Sequence, residues 1–132
     1  GNVKKYAPYR RYRNKKRLPL NRFGKGPFCR FRIPNNLRLC GVYFFSVDKK
    51  VKYVGECKDL SQRFNAGYGN IAPRACYLGG QSTNCRINNL VYQLATKGKR
   101  NELWFRPTKY RKWLEAKMIR RYRPEWNIQL KD

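Results

Sequence analysis

The side chains able to do chemistry are few, because the chain has no histidine. Serine–histidine–aspartate and cysteine–histidine arrangements are excluded, and so is every zinc site that needs imidazole. Catalysis would fall to Tyr, Arg, Lys, Glu or a metal. Tyr43 and Tyr53 stand ten residues apart, and Arg63 follows ten residues later. On facing strands of a tight hairpin the two tyrosines would meet on one face. Two hydroxyls and a fixed guanidinium beside a metal could orient a water and neutralise a phosphorane-like transition state. Tyrosines in strands equally well simply pack. Glu115 shares a helical face with Met118, Ile119 and Tyr122, and is the only acid among seven Lys and Arg between positions 109 and 123. A carboxylate there either pairs with one of those cations or holds a hard divalent cation with waters and a substrate phosphate, as Mg²⁺ is usually held.

Val42 to Ser46 and Val51 to Val54 read as strands by their β-branched and aromatic content, joined by a tight turn over 47–50. Gly55 ends the second strand, and Asp59 caps a helix that carries Arg63. A loop from Ala66 to Thr83 follows, too long for a plain connector. Asn84 then caps a helix in which Ile87, Leu90, Val91 and Leu94 recur at helical spacing, closed by Gly98. Glu102 to Arg106 reads as a third strand and Lys109 to Tyr122 as a third helix, stopped before Pro124. The order β-β-α-α-β-α predicts an α+β fold, a small antiparallel three-stranded sheet flanked by helices.

The chain has 132 residues, with 32 Lys and Arg against 7 Asp and Glu, a formal charge of +25. Such a surplus points to a polyanionic partner. A membrane partner is not expected, because no run of 18 apolar residues exists and Pro and Gly break the basic segments. No acid precedes Asp48, whereas thirteen Lys or Arg do. Residues 1–40 are therefore expected to form a basic arm and residues 41–132 the domain. In the arm Lys4, Lys5, Arg10, Arg11 and Arg13 interleave with Tyr6, Tyr9 and Tyr12, and Lys15, Lys16 and Arg17 follow. That pattern suits phosphate contact with base stacking or minor-groove insertion, or else a basic tail that orders only on nucleic acid. Apolar residues between 18 and 40 could pack an extended segment onto the domain. Five cysteines, an odd count without a close pair, argue for buried thiols in a reducing compartment. A four-thiolate zinc site from Cys29, Cys40, Cys76 and Cys85 is the alternative.

Gly41-Val42-Tyr43 and Tyr53-Val54-Gly55 resemble the paired half-motifs that name the GIY-YIG nucleases. Arg63 resembles the arginine of that family's first helix, Glu115 its metal-binding glutamate, and Asn127, in Trp126-Asn127-Ile128-Gln129, its terminal asparagine. The resemblance covers about residues 41–130. The insertion from Phe64 to Asn84 and the Trp-Asn-Ile-Gln ending look most like the restriction-endonuclease and phage endonuclease II branch. Two positions differ: many members have Lys where this chain has Glu56, and many have His or Tyr where it has Gly67. A one-residue shift at the helix end would bring Tyr68 into the latter role, and Glu56 would pair with a basic neighbour or add a second acid.

The resemblance implies Mg²⁺- or Mn²⁺-dependent hydrolysis of DNA phosphodiesters without a small-molecule cofactor. Tyr43 would activate the attacking water, Tyr53 position the phosphate or assist proton transfer, Arg63 stabilise the pentavalent charge, Glu115 ligate the metal and Asn127 brace the site. The arm cations, with Arg74 and Arg86 of the insertion, would add contacts to double-stranded DNA. One metal site cuts one strand, so a homodimer is expected. The expected setting is intracellular and cytoplasmic, in a prokaryotic or phage context. Composition alone supports a competing class, a non-enzymatic RNA- or ribosome-associated binding protein.

Overall fold

A computed structural model describes residues 4–128. Two short strands, β1 (Lys5–Tyr6) and β2 (Phe28–Cys29), pair antiparallel in the N-terminal region. The main sheet comprises β3 (Gly41–Val47), β4 (Lys50–Cys57) and β5 (Asn101–Pro107), antiparallel in the order β4-β3-β5. The expected hairpin is present. Its tight turn places Asp48 (φ 50°) and Lys49 (φ 68°) in the left-handed region, the conformation that matches the twist of two-residue hairpins.

Alternation along β3 divides the core. Tyr43, Phe45 and Val47 join one cluster with Leu60, Phe64, Tyr68, Ile87 and Val91. These come from α1 (Leu60–Arg63), the wider helical turn Phe64–Tyr68 and α2 (Ser82–Thr96). The other face of β3 packs against α3 (Arg111–Tyr122), where Tyr122 meets Phe44 edge to face at 6.4 Å. The predicted α+β order is thus observed. Asp59 caps α1 as expected, its carboxylate accepting from the Gln62 amide at 3.1 Å. Asn84 does not cap α2, which starts two residues earlier; its amide instead donates to Gln81 at 3.1 Å. α3 starts at Arg111 and ends in left-handed Arg123 (φ 44°), ahead of Pro124.

The arm is irregular, with a 3-10 helix over Pro8–Arg11, and along its described length it is held down. A second cluster joins Phe28 to Ile71, Ala75, Cys76, Tyr77 and Cys85 of the insertion, with Tyr6, Tyr9, Tyr12, Leu18, Leu20 and Phe23 against it. The arm tyrosines, expected to stack on bases, instead pack inward. Tyr6 accepts from the Ile71 amide at 2.7 Å, Tyr77 donates to the Tyr9 carbonyl at 2.8 Å, and the Tyr12 and Tyr77 rings lie 5.0 Å apart. The cations interleaved with them face outward: Lys4, Lys5, Arg10, Arg11, Arg13, Lys15, Lys16 and Arg17 are all exposed. The last four residues of the expected 41–132 domain lie outside the described residues, Gln129 of the terminal motif among them.

Asn88 ties the arm strand β2 to the turn that carries Tyr68. It is fully buried in α2, accepts from the Cys29 amide at 2.9 Å, and donates to the carbonyls of Cys29 and Tyr68, both at 2.7 Å. All five thiols are free, four buried and Cys40 half-buried. Cys29 and Cys57 belong to the first cluster, Cys76 and Cys85 to the second. Among the described residues no three His, Cys, Asp or Glu side chains converge as a metal site, so the four-thiolate alternative is not formed.

Replacing Asn88 by Ala leaves one amide and two carbonyls of the interior unpaired. At about 1–3 kcal/mol for each such group, less whatever water recovers, the loss should reach about 3 kcal/mol. Chemical denaturation of N88A against wild type measures it.

Candidate active site

Three phenols meet beside the β3–β4 hairpin. Tyr43 projects from β3 directly opposite Gly55 of β4. A Cβ at position 55 would fall 2.3 Å from the Tyr43 ring and hydroxyl, so the glycine of Tyr53-Val54-Gly55 is the space the phenol occupies. Tyr43 and Tyr53 have ring centroids 6.3 Å apart, and Tyr68 lies 6.0 Å from the first and 6.3 Å from the second. The Tyr43 and Tyr68 hydroxyls share a 2.6 Å hydrogen bond. The two hairpin tyrosines are thus neighbours, and Tyr68 joins them as a third.

Tyr68 arrives by a change of helical period. After Arg63 the chain widens from the α to the π form, and the Gly69 amide donates to the Phe64 carbonyl, five residues back, at 2.7 Å. The extra residue in that turn rotates position 68 to where position 67 would point in an α-helix. Asn88 then fixes the Tyr68 carbonyl from below. Arg63 sits at the surface; its Nε donates to the Tyr43 hydroxyl at 3.4 Å and its guanidinium lies 5.2 Å from the Tyr68 ring centroid.

Burial sets the acidity of the phenols. It drives Tyr43, Tyr53 and Tyr68 far above the ordinary tyrosine value; one neighbouring phenol adds to each rise (Tyr53 for Tyr43, Tyr68 for Tyr53, Tyr43 for Tyr68) and the Arg63 charge opposes it. Each is a neutral hydroxyl near pH 7.

Glu115 lies half-buried on α3 and lines a cavity of about 260 Å³ with Tyr53, Thr83, Arg86 and Asn127. Despite the cations around it in sequence, it forms no ion pair with any described residue. Burial raises its pKa and the Glu56 charge raises it further, while the Glu56 backbone amide, Arg63 and Arg111 pull it down. Glu56 itself is engaged by the Arg111 guanidinium from the start of α3. It thus pairs with a basic neighbour, one of the two roles the sequence allows it. Arg63 and Arg111 also line an open cleft of about 400 Å³ with Lys58, Gln62 and Asn84.

Asn127 does not reach the phenols. Its amide pairs with the free edge of β4, accepting from the Val54 amide and donating to the Val54 carbonyl, both at 2.8 Å. The neighbouring Trp126 amide donates to the Lys52 carbonyl at 2.8 Å. The C-terminal segment therefore completes the edge strand next to Tyr53, a bracing position.

The two insertion arginines are occupied. Arg86, expected as an exposed DNA contact, is only 8 % exposed; its Nη2 donates to the Trp126 carbonyl, and its Nε has no partner among the described residues. Position 86 is enclosed because α2 is buried on every side over 84–88, more than one full turn. Arg74 is half-buried, donates to the Leu78 carbonyl at 3.2 Å and leans toward the Tyr12 ring. Gly55 does not end the second strand as expected, since β4 runs on to Cys57, and sequence reasoning gives no separate role to Asn88 or Arg111. Gly55 stands inside the recognised motif, but nothing local marks Asn88 as a buried clamp.

The donor set fits one kind of metal. A single carboxylate without a cation partner, facing a polar cavity, suits Mg²⁺, which keeps several waters and needs few protein ligands. It does not suit a four-ligand zinc centre.

No family model matches the sequence, and no curated protein matches it. Among solved structures, a point mutant of bacteriophage T4 EndoII aligns over 84 % of this chain and 87 % of its own, with 19 % identity and a TM-score of 0.56. The magnesium-bound GIY-YIG N-terminal endonuclease domain of UvrC from Thermotoga maritima aligns over 69 % of this chain and 85 % of its own, with 26 % identity and a TM-score of 0.47. The protein shares the α+β fold of bacteriophage T4 EndoII.

Proposed function

We propose that this chain is a GIY-YIG nuclease, a metal-dependent endonuclease that hydrolyses phosphodiester bonds of DNA. The observation that carries this reading is the Tyr43–Tyr68–Arg63 cluster, built over Gly55 and joined through Tyr53 to the cavity lined by the half-buried carboxylate of Glu115, which forms no ion pair with any described residue. Restriction-type, sequence-selective cutting of double-stranded DNA by a homodimer is the finer form of the proposal, motivated by the insertion and by one metal site per chain. An intracellular setting follows from the DNA partner and the free thiols; among the described residues, no helix is long and apolar enough to cross a membrane.

The chain's own groups divide the work. Tyr43, oriented by Tyr68 and Arg63, receives the attacking water and draws on its proton. Arg63, exposed at one end and bonded to Tyr43 at the other, meets the charge that builds on the phosphorus oxygens. Tyr53 orients the phosphate from the Glu115 side. Asn127 keeps β4, and with it Tyr53, in register. Glu115 would hold Mg²⁺ or Mn²⁺, which supplies Lewis-acid polarisation of the phosphate and stabilises the leaving oxygen.

Glu115→Gln keeps the shape and removes the ligand. It should abolish Mg²⁺-dependent nicking of supercoiled plasmid while leaving DNA binding within about threefold of wild type. Mg²⁺ should raise the melting temperature of wild type and not of E115Q. Wild-type protein that never nicks in Mg²⁺ or Mn²⁺ sinks the enzyme reading in favour of a binding protein.

The raised pKa of Tyr43 gives the pH dependence a sign. To accept a proton from water Tyr43 must first lose the one it holds at neutral pH, so kcat should climb with pH. Because its pKa lies above the ordinary tyrosine value of about 10, no plateau is expected between about pH 6 and 9.5. A plateau near pH 7 in single-turnover cleavage would assign the base elsewhere.

Outward-facing arm cations are expected to contact phosphates. In the triple variant Arg10→Gln, Arg11→Gln, Arg13→Gln the slope of log K against log salt should flatten by up to about 2.7, near 0.9 for each phosphate no longer neutralised. Fluorescence anisotropy across a salt series measures this, and an unchanged slope would remove the arm from the interface.

A further inference from the structure

α3 covers the β4 and β3 side of its sheet face and leaves the β5 side open. In that gap Phe44, Trp104 and Tyr122 line a slot of about 290 Å³, with Ser46, Lys49 and Glu102 at its polar margin. Trp104 is 59 % exposed and Tyr122 46 % exposed. Both rings are nevertheless fixed. The Trp104 indole N–H donates to the Ser46 hydroxyl at 3.2 Å, and Tyr122 stands edge to face on Phe44. Large apolar rings held rigid and left open are the parts of a stacking platform; rings that merely fill surface need no such anchoring.

Charge selects the occupant. The acids nearest the slot are each engaged: Glu102 by Arg100 at 3.2 Å and Asp48 by Lys99 at 3.4 Å. Lys49 stands at the margin and the Arg121 guanidinium lies 5.7 Å from the Tyr122 centroid. A second copy of a chain charged +25 would bring like charges together here. A polynucleotide brings the opposite charge along with flat aromatic bases.

We propose that the Phe44–Trp104–Tyr122 slot receives an unpaired nucleobase of a bound polynucleotide, stacked against Trp104. Tyr122 lies seven residues, about 10 Å, along α3 from Glu115. A strand engaged at the cleavage site can therefore present an unpaired or extruded base to the slot at short range. The inference rests on the nucleic-acid partner proposed above and does not depend on hydrolysis.

The test uses the full chain carrying Glu115→Gln, with single-stranded oligonucleotides and abasic counterparts of equal length and charge. Wild-type slot residues should bind the base-bearing strand more tightly than the abasic one and quench Trp fluorescence. Trp104→Ala and Tyr122→Ala should each weaken base-bearing binding roughly 5- to 100-fold, Trp104→Phe should largely preserve it, and abasic binding should stay the same. Equal affinity of W104A and wild type for the base-bearing strand overturns the slot while leaving the nuclease reading intact. So does a wild-type dimer that W104A converts to monomer, which would make this face a self-interface. Failure to bind any nucleic acid overturns both.

Discussion

Everything at the site depends on the close approach of Tyr43 to Gly55 across the β3–β4 ladder. Only a hydrogen at position 55 lets a phenol lie over the neighbouring strand, and only there can its hydroxyl meet both Tyr68 and Arg63. The two-residue turn at Asp48 and Lys49 pairs Ser46 with Val51, and the one-residue bulge that follows, between Phe45 and Ser46, shifts the register so that position 43 falls opposite position 55. Burial of the phenols keeps their protons on. The surface position of Arg63 keeps one end of the same cluster open to an anion.

Legibility from sequence followed the range of the interactions. The hairpin, the Asp59 cap and the helix carrying Glu115 rest on local rules, strand alternation, capping and helical period, and each is found where those rules place it. Tyr68 could be anticipated only as a one-residue shift, since a π turn has no sequence signature of its own; it is recognised when the widened hydrogen bond to Phe64 is visible. The inward packing of Tyr6, Tyr9 and Tyr12 was hidden because the same tyrosines would suit base stacking equally well. Their partner surface, Ile71 to Cys85, lies far along the chain, and Tyr6 reaches Ile71 across 65 residues. Arg86 misled for a related reason: its charge suggests solvent, whereas the turn of α2 that carries it is enclosed on all sides, and its partner is the Trp126 carbonyl 40 residues on.

The C-terminal segment and the arm stabilise different parts of the domain by the same chemistry. Asn127 offers the edge of β4 a side-chain amide in place of a peptide group, with two bonds of 2.8 Å, and Asn65 does so for Ile33, with bonds of 2.8 and 2.9 Å. A side-chain amide presents one donor and one acceptor in the spacing of a backbone unit, so it can finish a ladder where no further strand is available. The fold closes its irregular connections in this way with few regular strands.

Asn88 makes the arm and the phenol cluster mechanically continuous. One rigid amide grips Cys29 on the arm side and Tyr68 on the catalytic side. Phe31, two residues after Cys29, adds a second link where its amide donates to the Gly69 carbonyl, next to Tyr68, at 3.0 Å. The arm is therefore less a tether than part of the wall behind the phenols, fastened on both sides of the residue whose hydroxyl is bonded to Tyr43.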